Sequence, residues 1–121
     1  MFPIEVARVY DVSARSGYQS LVLVDRLWPR GVKKESLGLD AWAKDAAPST
    51  ALRKWYGHDE ERFEEFVGLY LAELAIEPAA SAVAELRAMT RKRRLILLTA
   101  VRDLERSHAT VLRGLLADGP L

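Results

Sequence analysis

The chain has 121 residues, of which 50% are hydrophobic, enough to bury the core of one ordinary domain and too few for two, so residues 1–121 read as a single domain. Its 18 Lys plus Arg against 17 Asp plus Glu leave a net charge of +1, which excludes a global field that draws the protein to nucleic acid or membrane. The absence of cysteine excludes disulfides, thiolate nucleophiles and thiolate metal sites.

Ile4 to Tyr10 alternates Ile4, Val6 and Tyr10 with charged neighbours and predicts a first strand with one wetter face, at a sheet edge. The segment contains an acid at Glu5 and no apolar run of signal-peptide length; with no membrane-length span anywhere, a soluble, cytoplasmic protein is the expectation. The turn-rich DVSARSGYQ that follows is short for a parallel crossover and predicts an antiparallel return.

Leu21 to Gly31, LVLVDRLWPRG, is the centre of the chain. An apolar run without polar alternation predicts a strand covered on both faces, and it passes directly into Asp25, Arg26, Trp28, Pro29, Arg30 and Gly31. In open α/β sheets ligands sit beyond the carboxyl ends of strands, which is where these charges fall.

Gly31, Gly38, Pro48 and Gly57 break the middle into short helical pieces. Asp40 predicts a cap on a short helix through Trp42, and Ser49 or Thr50 a cap on Leu52 to Tyr56. Asp59 opens a longer helix whose Phe63, Phe66, Val67, Tyr70 and Leu74 form one apolar stripe. Pro78 suits the first turn of another, with Ala79, Val83, Leu86 and Met89 inward and Arg91 to Arg94 complementing the dipole at its end.

Leu95 to Leu98 predicts a second buried strand, parallel to the first, ending in Arg102 and Asp103. A last helix from near Leu104 turns Leu104, Val111, Leu112, Leu115 and Leu116 inward and finishes at Gly119 and Pro120. The fold class is therefore α/β: a small layered domain, a short, mostly parallel sheet flanked by helices, in the order β-β-(α)n-β-α.

Adjacent parallel strands bring Asp25, Arg26, Arg102 and Asp103 together, with Trp28 and Arg30 on one loop and the start of the last helix alongside. Planar guanidinium donors beside free helix N–H groups suit a phosphate or carboxylate. His108 lies on the inward stripe one turn into that helix and has the intrinsic pKa of a general acid or base, with Asp103 or Asp25 as its partner; the same position also suits a core histidine bonded to a backbone carbonyl.

Asp25 with Arg26, and Arg102 with Asp103, read equally as structural ion pairs. Arg30, between Pro29 and Gly31, has little core to brace and reads as a ligand contact. Trp28, Trp42, Trp55 and Tyr56 are core or lid residues, one of them able to stack on a ligand. His58 is a loop and cap residue or a further site group. The two histidines lack ligand spacing, so no metal site is expected, and no Walker loop, G-x-G-x-x-G or G-x-S-x-G occurs, so no cofactor is expected either.

VDRLWPRGVKKE (Val24 to Glu35), APSTALRKWYGHD (Ala47 to Asp59), the F-x-x-x-Y-x-x-E-L pattern from Phe66 to Leu74 and LLTAVRDLERSHATVL (Leu97 to Leu112) together resemble the YeaO-like family of small bacterial proteins, over essentially the whole chain. The resemblance implies a Rossmann-like layer order and no established reaction. It also implies, in more distant members, a Cys after the last strand and a Cys-His-Arg further on. Here Thr99, Ala100 and Ser107-His108-Ala109 occupy that region, so thiol chemistry does not carry over, whereas Asp25, Arg26, Arg30 and His108 do.

The leading functional expectation is a pocket for a small anionic or nucleotide-like ligand, with Arg26, Arg30 and Arg102 binding charge and Asp25, Asp103 and His108 available for cofactor-free hydrolysis or group transfer. The alternatives are a nucleic-acid-binding module using Arg91 to Arg94, and a protein-interaction domain without chemistry.

Overall fold

Leu21, Val22, Leu23 and Val24 expose none of their surface, and neither do Leu95, Leu97 and Leu98. In the computed structural model, which describes residues 1–12 and 18–118, these runs are the central strands of one sheet. The strands β1 (Ile4–Arg8), β2 (Gln19–Leu23), β3 (Ala41–Trp42) and β4 (Arg94–Thr99) lie in the order β1-β4-β2-β3, every pair parallel.

The continuous apolar pattern has its cause in the two faces. Leu95 and Leu97 point into the larger core cluster, Ile96 and Leu98 into a second one on the opposite face. The larger core is closed by α2 (Thr50–Tyr56), α3 (Phe63–Leu74), α4 (Ala79–Met89) and α5 (His108–Asp118), and the opposite face by α1 (Lys34–Leu37) with the loops around Trp28, Val32 and Leu39. The helices are thus distributed unequally over the sheet.

Helix starts follow the side chains that cap them. The Ser49 hydroxyl accepts from the Leu52 N–H at 3.1 Å, and Asp59 accepts from Glu61 N–H at 3.0 Å ahead of α3. The α3 stripe continues the ring of Tyr56: Tyr56 and Phe66 stack at 4.3 Å and Phe66 and Tyr70 at 5.6 Å. Each such buried aromatic contributes about 1.5–3 kcal/mol by burial. Met89, at the end of the α4 stripe, is only partly buried against the same core.

Two expectations are corrected. β1 sits at the edge, but it does not return antiparallel to β2, because β4 lies between them and both pair with it in parallel. Val9 and Val12 pack in the second core cluster, so the start of the β1 to β2 connection runs over the face that lacks long helices. The rest of the predicted turn, residues 13–17, and the predicted stop at Gly119 and Pro120 lie outside the described residues.

The second correction concerns Asp40, which caps no helix. Its Oδ2 accepts from the Leu21 N–H at 2.8 Å, and Ala41 and Trp42 pair with Val22 and Leu23 as a short strand. No single helix among the described residues is long and apolar enough to cross a membrane.

Candidate functional site

Parallel strands put all their carboxyl ends on one side of the sheet, and the loops leaving them enclose a cavity of about 380 Å³. Asp25, Arg26, Trp28, Arg30, His58 and His108 all line it. Arg102 and Asp103 do not: both are exposed in the loop after β4, where Asp103 accepts from Arg106 Nη1 at 3.0 Å.

Asp25 is the knot of the site. Its Oδ1 accepts from the Thr99 hydroxyl at 2.7 Å and its Oδ2 from the Ala100 N–H at 2.8 Å, tying the end of β2 to the end of β4. His108 is the first residue of α5 and not one turn into a helix from Leu104, because Leu104–Arg106 form a separate 3-10 turn, and its Nε2 lies 3.0 Å from Oδ1. Burial opposes ionisation of this carboxyl, but the hydrogen bond and charge of His108, with the bonds from Ala100 and Thr99, outweigh it and hold the pKa below the ordinary value. Asp25 is therefore an anion whose lone pairs face donors already in place.

His108 is buried, and its Nε2 also lies 3.0 Å from the Val24 carbonyl oxygen. Both neighbours are acceptors, so Nε2 carries a proton and Nδ1 is the nitrogen left for other partners. The two sequence readings of His108 meet in one geometry, a backbone carbonyl and a carboxylate sharing the same N–H.

Arg26 does not pair with Asp25. Its Nε donates to the Pro48 carbonyl and its Nη2 to the Ala47 carbonyl, each at 3.1 Å, so it fastens the loop before α2 to the end of β2. Trp28 is half-buried with its Nε1 donating to the Val32 carbonyl at 2.7 Å, and it meets Trp42 edge to face at 5.2 Å. His58 follows Gly57 in the left-handed region, at φ 60°, and is exposed at the rim with its ring 6.1 Å from that of Tyr56.

Arg30 is exposed on the rim, and the Tyr10 hydroxyl donates to its carbonyl at 3.0 Å. The lining also includes Tyr10, Arg53 and Arg106, which the sequence patterns do not mark as site groups. Arg53 and Arg106 look like solvated cations; the signal that points to Arg53 is its place in the APSTALRKWYGHD stretch. Arg106 is balanced by Asp103 at 3.0 Å and Glu60 at 3.5 Å. The guanidinium groups of Arg30 and Arg53 have no such partner among the described residues.

The hydroxyls of the cavity are engaged. Tyr56 donates to the Arg106 carbonyl at 2.8 Å, and burial, with the charge of Asp103, pushes its pKa up. Ser107 Oγ donates to the Leu104 carbonyl at 2.7 Å and accepts from the Thr110 N–H at 3.3 Å at the start of α5. Among the described residues no group of three or more His, Asp or Glu side chains is placed to hold a metal ion.

A family model described as "Inactive DUF488-N3 subclade" matches residues 3–119. The chain belongs to the DUF488-N3i family. Its relatives include an uncharacterized protein of Mycobacterium tuberculosis H37Rv, 46% identical over 114 residues, which cover 93% of this chain and 92% of the relative. The uncharacterized protein YeaO of Escherichia coli K12 is 42% identical over 111 residues, 90% of this chain and 92% of its own. The resemblance to YeaO-like proteins drawn from the four sequence stretches is thereby confirmed, and the parallel sheet with its helices agrees with the implied layered α/β fold. No solved structure matches this DUF488-N3i chain significantly.

Proposed function

We propose that this protein is a receptor for a small anionic ligand, bound in the cavity at the carboxyl ends of the strands. The observation that carries this reading is a charge imbalance. Arg30 and Arg53 line the cavity without an ion pair among the described residues, while the one carboxylate that lines it, Asp25, is already enclosed by His108, Thr99 and Ala100. Unpaired guanidinium groups at a cavity mouth favour phosphate or carboxylate through paired N–H donors.

Binding is favoured over covalent catalysis because the hydroxyl protons of Thr99, Tyr56 and Ser107 are committed to internal acceptors. The word "Inactive" in the family description agrees with a role in binding. For hydrolysis without a covalent intermediate, the groups still open to proton transfer are His108 Nδ1 and the ring of His58. The nucleic-acid reading loses ground in the fold, since Arg91 to Arg94 lead into the amino end of β4, away from the cavity, and Arg94 faces Glu5 at 3.8 Å.

Thermal unfolding with phosphate, sulfate and nucleotides tests the proposal. A ligand of the native state raises the midpoint by mass action. The expected result is a concentration-dependent rise for at least one anion that disappears in the Arg30→Ala, Arg53→Ala double variant. A midpoint unmoved by every anion, or a rise that persists in the double variant, removes the reading.

A further inference from the structure

We infer that the ligand is a phosphomonoester with a planar aromatic body, of mononucleotide size, rather than a free oxyanion, a sugar phosphate or a dinucleotide; this rests on the anion-receptor reading above. The size of the cavity sets the first limit. At about 380 Å³ it lies near the lower end of small-molecule sites, which run roughly 300–1,000 Å³. That leaves room for one ring and one phosphate, and too little for a dinucleotide.

The distribution of chemistry sets the second limit. The partnerless cations, Arg30 and Arg53, are exposed groups at the mouth, whereas the exposed Leu27 and the half-buried Trp28 contribute apolar and ring surface. A bare phosphate neutralises the mouth but leaves that apolar wall in water. A ligand that joins a charged end to a flat apolar body covers both.

The third limit comes from the polar groups. Free N–H donors are concentrated on Arg30 and Arg53, which suit the phosphate, while the Tyr10, Tyr56 and Ser107 hydroxyl protons are held by the carbonyls of Arg30, Arg106 and Leu104 and the Trp28 Nε1–H by Val32. A phosphate carried on a sugar alone therefore gains less from the apolar wall than one that adds a flat ring. Asp25 already accepts from Thr99, His108 and Ala100, which disfavours recruiting it to a cationic amine.

Titration calorimetry on the full chain decides between ligand classes, using nucleoside 5′-monophosphates and phenyl phosphate beside inorganic phosphate, ribose 5-phosphate, the phosphate-free nucleosides and NAD. At least one aromatic phosphomonoester is expected to bind tenfold or more tightly than inorganic phosphate, ribose 5-phosphate and its own nucleoside. Arg53→Ala, a substitution at an exposed helix position, is expected to weaken it at least tenfold. Inorganic phosphate or ribose 5-phosphate binding as tightly as every aromatic ester overturns the ligand class while the anion site stands. NAD binding more tightly than the mononucleotides overturns the size limit. No heat from any anion removes the inference and the receptor reading together.

Discussion

The Nε2 atom of His108 lies 3.0 Å from Asp25 Oδ1 and 3.0 Å from the Val24 carbonyl oxygen, so one N–H is shared between a side-chain and a backbone acceptor of consecutive residues. The arrangement locks the ring of α5 onto the end of β2 and fixes the tautomer. Nitrogen chemical shifts of neutral His108 are expected to report a protonated Nε2 and a bare Nδ1. The opposite tautomer contradicts the geometry.

Asp25→Asn tests how much this junction stabilises the fold. The carboxylate faces donors at both oxygens, from Thr99 and His108 on one and Ala100 on the other. An amide, whichever way it turns, sets an NH2 against an N–H or O–H. Loss of the charge-assisted bonds together with a buried clash of donors is expected to cost about 2–4 kcal/mol. Denaturant unfolding measures it; a loss under about 0.5 kcal/mol means that the junction tolerates a neutral group.

The same carboxyl sets an acid limit. Its folded pKa lies below the ordinary value of 3.8, because the bonds from His108, Ala100 and Thr99 outweigh the opposing effect of burial. The unfolded chain therefore takes up the proton more readily, so the stabilisation is complete above the unfolded value and is lost as the pH falls through the folded one. Stability is expected to drop below about pH 4, and less steeply in Asp25→Asn. Unfolding midpoints at a series of acidic pH values make the comparison, and parallel curves for both proteins refute the assignment.

Arg26 and Arg53 separate structural from ligand-facing cations. Arg26 gives two bonds of 3.1 Å to the carbonyls of Ala47 and Pro48, and Arg26→Met leaves both acceptors without that donor. A stability loss of about 1–3 kcal/mol is expected. Arg53→Ala, at an exposed helix position, is expected to stay within about 0.5 kcal/mol while anion binding weakens. A large stability loss in Arg53→Ala with binding intact reverses the two roles.

The sequence could be read where a single local pattern has a single structural solution. The runs Leu21 to Val24 and Leu95 to Leu98 are apolar at every position because each face of the sheet is covered, and the α3 stripe has one inward side. Asp40 was ambiguous for a physical reason: an aspartate before a short segment looks the same whether it accepts a helix N–H or, as here, the N–H of Leu21. The orientation of β1 depends on β4, 91 positions along the chain, and no local turn signal carries that information. The candidate site was readable in the same measure. Parallel β2 and β4 bring Asp25 and the start of α5 together, but that Arg26 turns to carbonyls 21 and 22 residues away depends on tertiary packing.

Tyr10→Phe addresses the link between the edge strand and the mouth of the cavity. The Tyr10 hydroxyl donates to the Arg30 carbonyl at 3.0 Å, and the Arg8 guanidinium sits 5.2 Å from the Tyr10 ring centroid, so Tyr10, just beyond β1, is steadied from one side and holds the Arg30 loop on the other. Removing one exposed hydroxyl is expected to change stability by no more than about 0.5 kcal/mol. The loop bearing Arg30 then samples more conformations, and ordering it on binding costs entropy that the native tether removes in advance. Anion affinity is therefore expected to fall a few-fold with the melting temperature nearly unchanged, a combination that calorimetry and thermal unfolding on the same sample read directly. If affinity is unchanged while Arg30→Ala still weakens binding, Arg30 acts without the tether and Tyr10 is only part of the wall.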